Sequence, residues 1–232
     1  MLVVITGASQ GIGYAVAESF AKGGYDLLLC SKTATHLEAA TKQLKSKYTN
    51  ISIQSTQANL ANSDECEKFG KWCLSFGTPS ILVNNAGYFL PGNLMEEEKN
   101  VLESQMATNL YSAYYTSRAI VPAMIHAGTG HIFNICSIAS LQAYTHGGSY
   151  SISKFALDGF SKNLREELKH KGIKVTSVYP GATYTNSWAG SGVAPSRLME
   201  ASDIATMIFA ATQLSNQAVV EDIVMRPQLG DL

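Results

Sequence analysis

LVVITGASQGIG, at residues 2–13, contains an apolar run, a glycine-rich turn and the start of a helical pattern. Its first four residues have the unbroken apolar character of a strand that is buried on both faces. Gly7, Gly11 and Gly13 let the chain turn tightly and bring backbone amides close to an anion at the positive end of the next helix. The stretch predicts a strand–turn–helix unit that binds a dinucleotide pyrophosphate. A glycine turn of purely structural origin is the alternative.

Apolar runs and helical patterns alternate through the rest of the chain. Strands are predicted at 2–5, 26–30, 51–54, 81–84, 131–136, 174–179 and 218–225, and helices at 12–22, 34–47, 63–76, 96–126, 150–171 and 200–214. This alternation is typical of a parallel sheet with helices on both faces. No linker or repeat interrupts it, so we expect residues 1–232 to form one α/β domain with a doubly wound, seven-stranded parallel sheet.

The composition excludes several classes of function. A net charge of −1 gives no electrostatic reason to expect a nucleic-acid partner or an anionic membrane surface. Because the first predicted strand follows Met1 directly, we expect no signal peptide, and no apolar run is long enough to span a membrane. Cys30, Cys66, Cys73 and Cys136 lack metal-ligand spacing. We therefore expect a reduced cytoplasmic protein without a metal site.

A second informative stretch lies at residues 134–154, NICSIASLQAYTHGGSYSISK. If a helix covers 149–169, Tyr150 and Lys154 lie on one face about one turn apart. A nearby fixed cation lowers the pKa of a phenol, which is otherwise near 10 and too high for ready proton exchange at neutral pH. Ser137, upstream, adds a hydroxyl. These groups can transfer a proton to or from an alcohol or carbonyl. A surface Tyr–Lys pair without a catalytic role is the alternative.

The end of the second predicted strand indicates which dinucleotide is bound. An acidic residue there would bond the adenosine ribose and repel a 2′-phosphate, whereas a cation would attract the phosphate. Ser31 and Lys32 occupy this place, and no carboxylate follows until Glu38. The sequence therefore favours NADP(H) over NAD(H), while Lys32 can also be read as a solvated surface lysine.

Taken in order, these motifs resemble the short-chain dehydrogenase/reductase family along essentially the full chain. TGASQGIG is similar to the family's TGxxxGxG turn, and residues 84–87 (NNAG) follow the fourth strand as they do in the family. Pro180-Gly181 with Thr185 resembles its PGxxxT segment. The catalytic tetrad that the resemblance implies consists of Asn109, Ser137, Tyr150 and Lys154. The resemblance also implies a Rossmann fold and an oxidoreductase.

The resemblance assigns a role to each member of this tetrad. Tyr150 would give a proton to the substrate oxygen during reduction, and Ser137 would hold that oxygen by a hydrogen bond. Lys154 would bond the nicotinamide ribose and lower the pKa of the phenol. Asn109 would anchor a water that connects Lys154 to solvent.

The resemblance also implies a set of cofactor contacts. They are Gly7, Ser9, Gln10, Gly11, Ile12, Gly13, Ser31, Lys32, Asn59, Leu60, Asn85, Ala86, Gly87, Tyr150, Lys154, Pro180, Gly181, Thr183 and Thr185. Two positions depart from common family patterns. Asn59 replaces a frequent aspartate near the adenine, and Gln10 occupies a position where many NADP(H)-preferring members carry a cation.

The substrate pocket is expected between the residues after Gly87, the 138–148 loop and the 184–199 loop. Its candidate lining residues are mainly aromatic: Tyr88, Phe89, Tyr144, His146, Tyr184 and Trp188. This set fits a small apolar or aromatic ketone or a 3-oxoacyl thioester, although the aromatic residues can also be ordinary packing and His146 a loop histidine without a role.

We expect an NADP(H)-dependent enzyme that interconverts a carbonyl and a secondary alcohol, mainly as a reductase. A dinucleotide-binding regulatory or scaffold protein with little turnover is the alternative. The helices at 96–126 and 150–171 carry small and apolar residues on more than one side, so a homodimer or homotetramer is also expected.

Overall fold

The computed structural model describes residues 1–185, 188 and 192–232. Seven strands form one sheet: β1 (Leu2–Thr6), β2 (Asp26–Ser31), β3 (Ile53–Gln57), β4 (Ile81–Asn84), β5 (Gly130–Ile135), β6 (Ile173–Pro180) and β7 (Asp222–Met225). All neighbouring pairs are parallel, in the order β3-β2-β1-β4-β5-β6-β7. The predicted doubly wound sheet is confirmed.

Helices connect these strands. They are α1 (Gly11–Lys22), α2 (Ala34–Lys47), α3 (Ser63–Leu74), α4 (Val101–Met106), α5 (Ser112–Ala127), α6 (Gly148–Leu168) and α7 (Ala201–Thr212). A π-helical segment, Ala107–Tyr111, joins α4 to α5. Short 3₁₀ segments lie at Ile138–Ser140, Lys169–Lys171 and Pro195–Arg197. In the part of the chain that the structure describes, no helix combines the length and apolarity needed to cross a bilayer.

Apolar side chains on both faces of the sheet explain the unbroken hydrophobic strands. In β1, Val3 and Ile5 pack into the layer that holds α1, α2 and α7. Val4, between them, faces the opposite layer, where α3 and α5 cover the sheet. Successive side chains of a strand point to opposite faces, so a strand covered on both sides needs apolar residues at every position.

Several predicted boundaries were wrong. The helix predicted from residue 96 begins at Val101, because Asn100 adopts a left-handed conformation with φ of 70°. The strand predicted at 218–225 is confined to Asp222–Met225, since the carbonyl oxygen of Val220 accepts a bond from the Thr176 hydroxyl. The third strand is shifted to Ile53–Gln57.

Residues 186, 187 and 189–191 of the predicted 184–199 loop lie outside the described residues.

The chain order places a crevice at one edge of the sheet. Successive strands lead outward from β1 to β3, and the chain then returns to β4 on the other side of β1. In a doubly wound sheet, ligands bind at this reversal, beside the carboxyl ends of the strands. Thr6 and Asn84, which end β1 and β4, mark that place.

Candidate functional site

The glycine turn after β1 creates a cradle at the start of α1. Gly7 and Gly11 have φ of +63° and +56°, a conformation in which a side chain would be strained. A Cβ atom at Gly13 would overlap the carbonyl oxygen of Gly7 and the amide of Asn85, so this position requires close backbone approach. The first amides of a helix lack acceptors within it, and the turn therefore presents donors suited to an anion.

Thr6 and Asn85 fasten the β4 loop to this turn. The Thr6 hydroxyl oxygen accepts bonds from the backbone N–H groups of Asn85 and Ala86, both at 2.9 Å. In return, the Asn85 side-chain amide donates to the carbonyl oxygens of Thr6 and Gly7 at 3.0 and 3.1 Å. The amide donors predicted to meet a cofactor thus also hold the cradle in shape. Thr6 belongs to the TGxxxGxG turn, but the sequence assigned it no contact, because its partners Asn85 and Ala86 lie about 80 residues away.

Tyr150 lies in the first turn of α6, partly buried, with the ring of Phe89 packed edge-on at a centroid distance of 4.8 Å. Burial raises the pKa of Tyr150 to about 12, and a hydrogen bond with Ser137 partly opposes this rise. The lowering of the phenol pKa that was predicted from the Tyr150–Lys154 spacing is wrong for this arrangement. Desolvation of the phenolate outweighs the hydrogen bond that favours it.

Lys154 is buried one turn after Tyr150 on the same helix. Its Nζ donates to the carbonyl oxygen of Ile135, at the end of β5, at 2.7 Å and lies 5.9 Å from the centroid of the Tyr150 ring. Burial lowers the pKa of Lys154 to about 8. The ammonium is therefore held at the sheet edge beside the phenol, and its proton is bound more weakly than in water.

Ser137 directly follows β5 and starts a short 3₁₀ turn. Its hydroxyl oxygen accepts a bond from the backbone N–H of Ala139 at 3.1 Å. The Ser140 hydroxyl oxygen accepts from the Ser137 N–H at 3.1 Å, which completes a reciprocal cap. These two bonds hold Ser137 at the end of β5, and its side chain also makes a hydrogen bond with Tyr150.

Asn109 is fully buried within the π-helical segment. Its side-chain oxygen accepts from the Tyr88 N–H at 2.9 Å, and its amide donates to the Tyr88 carbonyl oxygen at 3.1 Å and to Ser153 Oγ at 2.9 Å. A weaker contact of 3.4 Å reaches Gln105. The extra residue in a π turn redirects a side chain, and here Asn109 bridges the Tyr88 backbone to the residue before Lys154.

A cleft of about 360 Å³ collects most of the predicted site. The predicted residues that line it are Gly7, Ser9, Gln10, Gly11, Ile12, Ser31, Asn85, Gly87, Tyr88, Phe89, Tyr144, Tyr150, Lys154, Pro180, Gly181, Thr183, Thr185 and Trp188. Ile135, Cys136 and Ala182 line it too and escaped prediction. Their apolar or small side chains cannot be told from ordinary strand residues in the sequence.

The remaining predicted residues are not among those that line the cleft: Gly13, Lys32, Asn59, Leu60, Ala86, Asn109, Ser137, Tyr184 and His146. Lys32 and His146 are exposed, whereas Leu60 is buried in the core. The Asn59 backbone N–H donates to the Glu65 carboxylate at 2.6 Å. The adenine contacts assigned to Asn59 and Leu60 therefore stay predictions.

The serines Ser9 and Ser31 join the glycine turn to the end of β2. Their hydroxyl oxygens lie 2.9 Å apart, and both residues line the cleft. Lys32 follows at the exposed rim. Hydroxyls together with a flexible ammonium form a donor set suited to a phosphate.

Comparison with known proteins finds similar proteins by sequence and by structure. A model of the short chain dehydrogenase family matches residues 1–193. Sepiapterin reductase of Chlorobaculum tepidum is 29% identical over 100% of this chain and 98% of that protein. Among solved structures, a metagenomic short-chain oxidoreductase in complex with NADP is 29% identical with a TM-score of 0.85, covering 98% of this chain and 97% of that one. L-sorbose reductase from Gluconobacter frateurii, complexed with NADPH and L-sorbose, is 26% identical with a TM-score of 0.89, covering 97% and 95%.

Proposed function

The chain belongs to the short-chain dehydrogenase family, and on that premise we propose that it is an NADP(H)-dependent oxidoreductase that interconverts a ketone and a secondary alcohol. The observation that carries the proposal is the position of Tyr150 and Lys154 in the same cleft as the glycine turn. A proton donor and a dinucleotide cradle that share one cleft suit hydride chemistry on a carbonyl.

The phenol of Tyr150 is the proposed proton donor. With a pKa raised to about 12 by burial, it keeps its proton at neutral pH, which suits the reducing direction. NADPH supplies the hydride when it is bound. Ser137 is proposed to hold the substrate oxygen next to the phenol, because its side chain makes a hydrogen bond with Tyr150.

Lys154 is proposed to act on the Tyr150 phenol through its charge, and Asn109 to hold the residues around it in position. The Lys154 ammonium provides positive charge and a donor beside Tyr150. Asn109 holds the Tyr88 backbone and Ser153 in place through three hydrogen bonds, and Ser153 directly precedes Lys154. The contacts of Asn109 thus support its assignment to the catalytic group as a positioning residue.

Cofactor binding is proposed to begin at the N-terminus of α1, where Gly11 and Ile12 would meet the pyrophosphate. Preference for NADP(H) over NAD(H) is supported by the Ser9–Ser31 pair and by Lys32 at its rim. NADP and NADPH are also the bound dinucleotides in the two solved structures compared above.

Ser31→Asp should weaken NADPH binding by about tenfold or more, because the new carboxylate would repel the 2′-phosphate. NADH, which lacks that phosphate, should bind no more weakly than to the wild type. Titration of cofactor fluorescence measures both dissociation constants. Thr33→Asp adds the same charge two residues away, at an exposed helix cap, and serves as the matched control. An equal loss of both cofactors in Ser31→Asp would contradict the assignment of the phosphate site.

The substrate is proposed to be a small, uncharged carbonyl compound. Among the described residues that line the cleft, Lys154 is the one with a charged side chain, and Tyr88, Phe89, Tyr144 and Trp188 form the aromatic part of the wall. Such a wall favours an apolar or aromatic ketone over a strongly anionic molecule. A 3-oxoacyl thioester is the second substrate class.

A carbonyl screen followed at 340 nm with NADPH and NADH tests the function. Reduction of apolar diketones and aromatic ketones with NADPH is the expected result. Tight NADPH binding without turnover on any carbonyl of either class would overturn the proposal and would favour a regulatory dinucleotide-binding protein.

A homodimer or homotetramer is proposed, with α5 and α6 at the contact between subunits. Tyr114 on α5 and Ile152 and Phe155 on α6 are 37%, 40% and 44% exposed, which is high for large apolar side chains. Burial of this face against a second copy would remove these side chains from water.

Light scattering at micromolar concentration should give two or four times the chain mass of 24.9 kDa. Phe155→Glu should shift the protein toward the monomer, because a carboxylate would be buried at the contact. Phe76→Glu, at a comparably exposed phenylalanine after α3, is the control and should leave the mass unchanged. A wild-type mass of 24.9 kDa would refute the assembly.

Residues 1–232 are further proposed to form a single nucleotide-binding domain, since one sheet takes strands from Leu2 through Met225. A reducing cytoplasmic location is proposed on the four free, buried cysteines.

A further inference from the structure

A long-range contact joins the wall of the cleft to the helix that carries Tyr150. Glu97, in the segment between β4 and α4, accepts a hydrogen bond from the Ser149 backbone N–H at 2.8 Å. The other oxygen of the same carboxylate accepts a bond from the Ser149 hydroxyl. Ser149 is 1% exposed, so both donors would be buried without an acceptor if Glu97 were absent.

This carboxylate caps α6 from elsewhere in the chain. Gly147, at the N-cap position of α6, has no side chain to do so, and the first turn of α6 contains no acidic residue. A side-chain oxygen that accepts from the first amides of a helix stabilises that end, and a negative charge there interacts favourably with the positive end of the helix dipole. Glu97 supplies both effects from 52 residues away.

Two glycines make room for the contact. A Cβ atom at Gly148, which has φ of +43°, would overlap the Glu97 carboxylate and would lie 2.6 Å from the Gly92 carbonyl oxygen. A Cβ atom at Gly92 would lie 2.9 Å from Cγ of Glu97. The Gly92 N–H also donates to the His146 carbonyl oxygen at 3.0 Å. The two segments therefore meet backbone to backbone around one partly buried carboxylate.

We propose that Glu97 is a positioning residue that aligns the proton donor with the substrate wall. The inference rests on the proposed function. Ser149 immediately precedes Tyr150, and Phe89, which packs on the Tyr150 ring at 4.8 Å, belongs to the same segment as Glu97. One carboxylate thus fixes the helix turn that carries the phenol and the segment that carries its aromatic neighbour. A displacement of about 1 Å between reacting groups can reduce turnover about 100-fold.

Three variants separate positioning from general stability. Glu97→Ala removes both acceptors. Glu97→Gln keeps an oxygen for the Ser149 N–H and an amide that can donate to the Ser149 hydroxyl. Glu98→Ala removes a neighbouring exposed carboxylate for which the structure shows no side-chain contact among the described residues, and is the control.

Hydrogen exchange of the 146–153 segment tests the contact without any substrate. Glu97→Ala should speed exchange at Ser149 and Tyr150, whereas Glu97→Gln and Glu98→Ala should resemble the wild type. With NADPH and 1-phenyl-1,2-propanedione as the probe carbonyl, Glu97→Ala should lower kcat about tenfold or more, while the dissociation constant of NADPH changes less than about twofold. Glu97→Gln should recover most of kcat.

Wild-type exchange in Glu97→Ala would overturn the inference, and so would an unchanged kcat or a loss of NADPH binding in proportion to kcat. If Glu97→Ala does not fold, Ser149→Ala, which removes only the hydroxyl bond, should still show a partial fall in kcat with unchanged NADPH affinity. An unchanged kcat in that variant would then overturn the inference. Failure of the wild type to reduce any carbonyl would refute the proposed function instead, and the exchange result would still decide whether Glu97 holds α6.

Discussion

Tyr150→Phe should lower kcat for carbonyl reduction by about 1,000-fold, the scale of general acid catalysis by a positioned side chain. The substitution removes one hydroxyl and keeps the ring that packs edge-on against Phe89. Cofactor binding should persist, because the glycine turn and the Ser9–Ser31 pair are untouched. Stopped-flow or steady-state assays at 340 nm measure the loss, and NADPH fluorescence measures the retained affinity.

Tyr144→Phe is the matched control for that variant. Tyr144 also lines the cleft, and burial raises the pKa of its phenol as well, but Lys154 does not follow it one turn later on a helix. We expect Tyr144→Phe to alter KM more than kcat. Equal losses of kcat in both variants would contradict a specific proton-donor role for Tyr150.

Lys154→Met should lower kcat by about 100-fold or more, because the buried ammonium beside the phenol is replaced by an uncharged chain of similar length. Burial lowers the pKa of Lys154 to about 8, from an ordinary value near 10.5. Activity that depends on the ammonium should therefore decline above about pH 8 in the wild type. The variant should lack that alkaline decline in its residual activity.

As pH rises, the contribution of Lys154 to stability should increase over the range in which activity declines. The lysine has a lower pKa in the folded state than in the unfolded state, so between about pH 8 and 10.5 the unfolded chain binds more protons. The contribution of Lys154 to the free energy of unfolding is least favourable below pH 8 and rises across that range. Lys154→Met removes a buried charge, and its Tm at pH 7 should not fall. Loss of activity together with a markedly lower Tm would point to misfolding instead of a lost charge.

Local sequence patterns predicted the structural features that are determined by residues close together in the chain. The apolar run before Gly7 indicated a strand buried on both faces, and Val3 and Val4 pack into opposite layers. The four-residue spacing of Tyr150 and Lys154 on a helix was confirmed. These features depend on periodicity and turn chemistry within a short stretch of chain.

Features that depend on distant contacts could not be predicted in this way. Periodicity gave no sign that the helix through Asn109 contains a π turn, nor that Asn109 bonds Ser153 from 44 residues away. Glu97 stands in a run of three glutamates, and nothing in that run marks the one that caps α6. The direction of the Tyr150 pKa shift was also missed, because desolvation depends on the whole surrounding fold.

Transfer of deuterium from NADPH deuterated at the reactive C4 position is the most direct test of the proposed reaction. The purified wild type, mixed with the labelled cofactor and 1-phenyl-1,2-propanedione, should form a hydroxyketone that carries one deuterium on the new carbinol carbon. Mass spectrometry detects the label, and Tyr150→Phe should form almost none of this product in the same time. Consumption of the cofactor without labelled alcohol would contradict the proposal that hydride is transferred to a carbonyl in this cleft. Equal labelling by wild type and Tyr150→Phe would contradict the proposal that Tyr150 donates the accompanying proton.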